Sequence, residues 1–244
     1  MSERPPEKPL VRLLASQENW IEGEAVRQLE KTAELPGIFL AVGLPELHPG
    51  KGIPIGAVFA SEGILYPHLV GNDVGCGMGL WQTDLKRRKI KRDRWAERLS
   101  DLEGPWEEGA EPWLAAEGVT ASADDLALGT IGGGNHFAEL QQVEQVEEPE
   151  VLHELGLEAD HLVLLVHSGS RGLGNGLLRS HVERYGASGL TEGSEEADRY
   201  LAQHDHALRW ARANRALIAH RFLAALGAEG RRVLDRCHNR MARG

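Results

Sequence analysis

The most constraining stretch of this chain is Gly71-Asn72-Asp73-Val74-Gly75-Cys76-Gly77-Met78. It sets one of only two cysteines three residues after an aspartate, in a frame of glycines. A thiolate and a carboxylate brought to one point repel, so the pair needs a cation or one group must keep its proton. Glycines on either side let the backbone turn tightly enough for both side chains to face that point. Two further segments carry the same framing and add imidazoles, Gly132-Gly133-Gly134-Asn135-His136-Phe137 and His167-Ser168-Gly169-Ser170-Arg171-Gly172. The pattern predicts a fold in which these three segments converge on a metal centre.

Each segment also has a plainer reading. A lone cysteine in glycine-rich sequence is commonly core filler. The run Gly132–Gly134 reads equally as a flexible turn beside a satisfied histidine, or as backbone amides aimed at a phosphate. Asn135 suits a hydrogen bond to a phosphate or a metal-bound water. His167 ends an apolar run, and Arg171 just beyond it offers a bidentate fork for phosphate. Near the end, Cys237 and His238 read as a second soft pair, or as a cysteine packed inward beside an outward histidine, since neighbours point apart. His204 and His206 are two apart on a helical run and face different sides, which favours surface or core roles over joint ligation.

Several chemistries are excluded or disfavoured. No Gly-x-x-x-x-Gly-Lys-Ser/Thr loop exists, and the glycines at 169, 172 and 174 do not fit the dinucleotide fingerprint. A zinc deaminase would need Pro-Cys-x-x-Cys, which is absent. Two cysteines exclude a zinc finger. A mixed Asp/Cys/His set with more than four candidate ligands suits one or two borderline ions such as Mn²⁺, Zn²⁺ or Co²⁺.

With 244 residues, 41% of them hydrophobic, the chain can bury a sizeable core as one large domain or two small ones. It has no apolar run long enough for a membrane span and no signal-peptide core after Met1, so a cytoplasmic protein is expected. Two cysteines make no disulfide framework. A net charge of −10 argues against nucleic-acid binding by the whole surface. The charge is uneven, however. Lys86–Arg98 holds eight cations, nine arginines lie from His204 to the end, and acid gathers in 101–117 and 144–160. The basic blocks suit a localised polyanion site or merely solvated helix faces.

The remaining patterns predict local structure. Residues 1–8 read as a loose tail and Glu22–Leu35 as a surface helix closed by Pro36-Gly37. Ile38–Val42 reads as a buried strand, Leu44–Gly52 as a loop, and Ile53–Ala60 with Gly63–Tyr66 as a pair of strands. Strands are expected over Gly79–Leu85, Asn135–Val143 and His161–Val166. Helices are expected in the second half of Lys86–Leu102, at Ser122–Leu128, over Gly172–Tyr185 and over Ser194–Leu226. Gly104–Gly118 reads as irregular or helical, and Glu144–Glu150 as an acidic turn. Ser194 is a suitable N-cap and Gly227 a suitable C′ residue. Strands grouped early and helices late indicate α+β rather than a regular βαβ alternation.

Three long motifs in order then point to a family. Gly71–Met78, Gly129-Thr-Ile-Gly-Gly-Gly-Asn-His-Phe-Ala-Glu-Leu140 and His167-Ser-Gly-Ser-Arg-Gly-Leu-Gly174 together resemble the RtcB family of RNA-splicing ligases. His48-Pro-Gly-Lys-Gly-Ile-Pro-Ile-Gly56, Ala213-Asn214-Arg215 and His238-Asn239 are also similar to it. The spacing resembles the branch encoded with a peptide-chain release factor homologue, from about Gly37 onward. The resemblance implies an RtcB-like fold, with central β-sheets flanked by helices, forming a single catalytic domain over 1–244. It implies a GTP- and Mn²⁺-dependent ligase that joins RNA ending in a 3′-phosphate or 2′,3′-cyclic phosphate to RNA with a 5′-hydroxyl. It implies Asp73, Cys76, His136, His167 and His238 as ligands to two Mn²⁺ ions, with Cys76 shared. It implies Asn135, Phe137 and Glu139 as nucleotide contacts and Arg171 as a contact to RNA phosphate. In the family the guanylylated histidine lies well after the His-Asn motif, and this chain stops at Gly244, six residues after His238. The expectation is therefore a fold incomplete at the C-terminus, with the catalytic histidine beyond Gly244. Alternatives are a non-catalytic module binding metal or RNA ends, and a metal-dependent phosphoesterase. Oligomeric state is left open.

Overall fold

A computed structural model describes residues 8–16, 18–100, 102, 104–106, 108–121 and 125–242. The first half runs β1 (Leu10–Leu13), α1 (Gly23–Ala33), β2 (Ile38–Pro49), β3 (Pro54–Ser61), β4 (Ile64–Leu65), α2 (Pro67–Val70), β5 (Gly77–Lys86), α3 (Arg92–Leu99) and α4 (Glu111–Ala116). The second half runs β6 (Phe137–Gln142), α5 (Pro149–Glu154), β7 (His161–Ser168), α6 (Gly172–Tyr185), β8 (Leu190–Thr191), α7 (Glu195–Leu226) and β9 (Gly230–Cys237). Short 3₁₀ turns occupy Arg87–Lys89 and Asp125–Ala127. The mixed α and β content agrees with the expected α+β class. The expected loose tail lies, save for Lys8, outside the described residues, as do residues 122–124 of the helix expected at Ser122–Leu128. Gly244, beyond which the guanylylated histidine is expected, also lies outside the described residues.

The chain separates into two compact units, one of residues 1–69 and 185–200, the other of 70–184 and 201–244. In the first, β1 pairs parallel to β2, and β2 antiparallel to β3. Ala25, Leu29 and Ala33 recur every four residues along α1 and bury against Ala41 and Leu47 of the sheet. The loop expected over Leu44–Gly52 is mostly strand. Gly43 pairs with Ala57 and His48 with Ile55, so four residues bulge opposite Gly56. Pro45 sits in that bulge, where its missing N–H breaks no ladder bond. Strand β4 pairs with β8, not with β3 as the expected strand pair would have it. The short Glu62-Gly63 turn redirects the chain into a different sheet.

The second unit is built on an antiparallel sheet of order β6-β7-β5-β9. Strand β7, the continuous apolar run of the sequence, is central. Leu164 and Val166 pack with Trp81 of β5 against Ile218, Ala219, Phe222 and Leu223 of α7. Trp210, Ala213 and Leu217 extend that face onto Leu114, Val119 and Leu128. Helix α7 begins as expected, with the Ser194 hydroxyl accepting the Ala197 N–H. It ends at Gly227 with φ +67°, where the N–H groups of Gly227 and Ala228 close on the carbonyls of Ala224 and Leu223. The reading of the sequence assigned no strand near Leu10–Leu13 or beyond Arg231. Strand β9 escapes hydropathy because it is an edge strand rich in arginine, as edges commonly are.

Leu164 has no exposed surface and lies at the centre of the sheet–helix core. Leu164→Ala is expected to destabilise the chain by about 2–5 kcal/mol, read as a lowered urea midpoint with an unchanged slope.

Candidate metal centre

Side chains alternate across a strand, so register decides which residues of the second unit can meet. On β7, Ser168 lies on the α7 face and His167 on the other. Ser168 is opposite Gly77, which is opposite Cys237; His167 is opposite both Met78 and Phe137, and Met78 is opposite Arg236. Continuing the alternation past the strand ends puts Cys76 and His238 on the His167 face. Cys237 falls on the α7 face, where Arg215 Nη2 donates to its sulfur at 3.3 Å. That separates the two members of the Cys237-His238 pair.

On the His167 face the donor atoms gather. Cys76 Sγ lies 3.2 Å from His167 Nε2 and 3.5 Å from His136 Nε2. His136 Nε2 lies 2.8 Å from Asp73 Oδ2, and His167 Nε2 lies 3.4 Å from His238 Nε2. Two triads result, Asp73/Cys76/His136 and Cys76/His167/His238, each with its donor atoms within 4.8 Å of one another. Cys76 belongs to both. The groups placed here are those expected as metal ligands.

The imidazoles are held from behind. His167 Nδ1 donates to the Asn135 carbonyl at 2.9 Å and His136 Nδ1 to the Ile131 carbonyl at 3.1 Å. Such bonds fix the tautomer and leave Nε2 as a lone pair aimed inward. These two nitrogens then face a carboxylate oxygen, a sulfur and the Nε2 of His238. That arrangement needs shared protons or a cation. Burial alone would raise the Asp73 carboxyl, but a proton shared with His136 Nε2, together with the Cys76 thiol, outweighs it and holds it below the usual range. Burial, helped by the Asp73 charge, pushes the Cys76 thiol up to about 12. Burial lowers His167, against the opposing bond to Asn135. Without a cation the thiol keeps its proton and His167 stays neutral. The donor set of one sulfur, one carboxylate and three imidazole nitrogens fits a divalent transition ion, which would displace those protons.

Glycine has a specific part at two positions. A Cβ on Gly169 would collide with the Asp73 carboxylate, and one on Gly132 with the Arg171 guanidinium. Arg171 itself has φ +55°, the one non-glycine residue with positive φ among the described residues. Its Nε reaches Thr130 Oγ1 at 3.4 Å, laying the guanidinium along the Gly132 loop. Phe137 packs edge-on against the His167 ring, with centroids 5.4 Å apart. Glu139, two residues on, is exposed on the same face of β6 and accepts from Gln141. Asn135 contributes its backbone carbonyl to His167, while its residue is exposed. His204 is buried and belongs to neither triad, and its Nε2 accepts the Met241 N–H at 2.9 Å.

The residues that position the donors were not picked out by chemistry in the sequence. Arg215 is fully buried on α7 and makes a fork with Asp235, at 2.9 and 2.5 Å. Its Nη1 donates to the carbonyls of Gly75 and Ser168, both at 2.8 Å. Asn214 accepts the Gly129 N–H at 2.7 Å and donates to Ser168 Oγ and the Gly169 carbonyl, both at 3.2 Å. The signal available was polar residues set within the apolar stripe Ala211, Ala213, Leu217, Ile218. Replacing Arg215 by Leu would strand a buried carboxylate and two carbonyls. Arg215→Leu is expected to cost about 3–5 kcal/mol, with Arg215→Lys recovering little because an ammonium cannot make the fork. Urea unfolding of the two variants checks this, and an unchanged midpoint would contradict it.

The chain matches the family model described as tRNA-splicing ligase RtcB over residues 28–104 and 97–243. It is 52% identical over 229 residues to RNA-splicing ligase RtcB2 of Escherichia coli, covering 93% of this chain and 60% of that relative. It is 30% identical over 264 residues to tRNA-splicing ligase RtcB of Archaeoglobus fulgidus, covering 82% of this chain and 55% of that protein. A similar relation, 30% over 263 residues, holds to tRNA-splicing ligase RtcB of Thermococcus kodakarensis, with 80% and 54% covered. The chain thus spans little more than half the length of these curated relatives. With its motifs, register and match extending over most of its residues, the chain belongs to the RtcB family.

Proposed function

We propose that this chain carries the metal centre and RNA-end site of a cytoplasmic RNA-splicing ligase. The observation that carries the reading is the pair of donor triads sharing Cys76 Sγ. In this reading Asp73, Cys76 and His136 hold one Mn²⁺, and Cys76, His167 and His238 hold a second. Bound there, the ions would neutralise phosphate charge and lower the barrier to phosphoryl transfer.

The chain's own groups have distinct tasks around them. The Asn135 and Ile131 carbonyls keep two imidazoles oriented. Arg171 would receive the terminal phosphate of an RNA bearing a 3′-phosphate or 2′,3′-cyclic phosphate, through its guanidinium fork. The Gly132–Asn135 loop, with Phe137 and Glu139, would border a guanine nucleotide; GMP transferred from GTP would activate the RNA phosphate, with pyrophosphate as the leaving group. Once the RNA phosphate carries GMP, attack by a 5′-hydroxyl forms the new phosphodiester and expels GMP. The family match, the relatives' names and the placement of the Arg171 guanidinium along the Gly132 loop support this assignment.

Metal content tests the centre. The unaltered chain, loaded with Mn²⁺ and desalted, should retain two ions by elemental analysis. Cys76→Ala should bind at least ~100-fold more weakly at both positions, because loss of a ligand exceeds the 10–100-fold typical of an outer-shell change. His238→Ala should lose one ion only. Full retention by Cys76→Ala would refute the shared-sulfur assignment.

RNA ends test the second half. An oligonucleotide with a 3′-phosphate should bind more tightly than its 3′-hydroxyl twin in Mn²⁺. Arg171→Ala should erase about 10–100-fold of that preference, the worth of a charge-assisted hydrogen bond. Equal binding of the two oligonucleotides would reject the end-site assignment.

A further inference from the structure

We infer that the segment Lys86–Arg98 is an RNA-backbone surface separate from the metal centre, gripping the body of the substrate rather than its ends. The inference rests on the RNA-ligase reading for the identity of the polyanion. Its own basis is charge, pairing and shape.

The segment holds Lys86, Arg87, Arg88, Lys89, Lys91, Arg92, Arg94 and Arg98 against Asp93 and Glu97, a local charge of +6 from eight cations and two carboxylates, in a chain of net −10. All but Lys86 of these cations are exposed. None forms an ion pair with a carboxylate of the described residues, although Arg27, Arg179 and Arg232 elsewhere on the surface do. Among the described residues, the one side-chain bond from these cations runs from Arg98 Nη1 to the Leu226 carbonyl at 3.3 Å. Uncompensated like charge this dense is unfavourable by itself, and a polyanion relieves it.

The packing holds the charges in place. The Arg87 N–H donates to the Asp160 carbonyl at 3.0 Å, pinning the start of the segment beside β7. On α3, Trp95 and Leu99 lie four apart and pack against the sheet–helix core, while Arg92, Arg94 and Arg98 are exposed. The flank of Trp95 left open lines a cleft of about 560 Å³ with Arg88, Lys89, Ile90 and Lys91. An indole edged by guanidinium and ammonium groups suits a nucleic acid, whose bases stack while its phosphates are paired. Five of the eight cations are arginine, the residue that takes phosphate bidentately. An anionic membrane fits less well, because Trp95 and Leu99 of α3 pack partly against the core and leave no broad apolar face to insert. Strand β5 separates this surface from Cys76. Ten residues at ~3.3 Å each put them about 30 Å apart, so only an RNA longer than a few nucleotides can reach both.

Fluorescence anisotropy on the intact chain tests this with two labelled RNAs, a long hairpin and a short single-stranded oligonucleotide, both ending in 3′-phosphate. The variant replaces Arg88, Lys89, Lys91, Arg92 and Arg94 by Gln, all exposed and outside the donor triads. It is expected to bind the hairpin at least ~10-fold more weakly at low salt, with a salt slope reduced by about one for each lost phosphate contact. Its affinity for the short oligonucleotide and its Mn²⁺ content should be unchanged. Undiminished hairpin binding would overturn the inference, as would loss of binding to phosphatidylserine vesicles with hairpin binding intact. Cys76→Ala distinguishes this from failure of the ligase reading: hairpin affinity that survives this substitution and still depends on the five cations supports the surface, even if discrimination between RNA ends proves absent.

Discussion

One buried guanidinium holds the functional half of this protein together. Arg215, in the middle of α7, bonds to the loop carrying Asp73 and Cys76 through Gly75, to the strand bearing His167 through Ser168, and to the strand leading to His238 through Asp235. A charge this deep is tolerable only because every direction of its fork meets an acceptor, one of them a carboxylate that itself needs the partner. The opposite pulls of burial and of Asp235 on Arg215 end with its charge favoured. Asn214, one position earlier, does the same for the Gly129–Ile131 turn and Gly169. Two consecutive polar residues thus fasten all the segments from which the donors project.

The donors themselves are poised in conflict. Imidazole lone pairs fixed by backbone carbonyls point at a sulfur and a carboxylate, inside a region where the thiol is held protonated by burial. Apart from protons, a divalent cation is the natural remedy, and binding it would reverse the local acid–base order. Rigid support from the sheet makes that exchange local, because the positions of the donors are set by strand register and not by the ion. The glycines at 132 and 169 serve the same end by letting Arg171 and Asp73 approach their neighbours without a side chain in between.

Charge is divided by location. Candidate donor groups gather on one face of the four-stranded sheet near the start of β5, and the densest basic segment lies past its far end. No helix among the described residues is long and apolar enough to cross a membrane. Exposed positive charge of this density suits a hydrated, extended polyanion as its counterpart.

Much of this could be read from residues alone. The helix over Gly172–Tyr185 and the capped helix ending at Gly227 follow from periodicity and end chemistry, which are local effects. The apolar run His161–Val166 declares a buried strand, and Asp73, Cys76, His136 and His167 declare themselves by type and by their glycine surroundings. Other features have no local signal. The β2 bulge depends on what Gly43 and His48 pair with, the separation of β4 from β3 on a partner more than a hundred residues away, and β9 on an open sheet edge that accepts an arginine-rich strand. Only register across three strands decides that His238 joins the donors while Cys237 turns to α7, and only burial converts Arg215 from one more basic residue into the anchor of the site. Sequence by itself determined which chemical groups were available and which short elements would carry them. Tertiary structure decided which of them meet, because hydrogen-bond pairing between distant strands, and not spacing along the chain, sets the distance between their side chains.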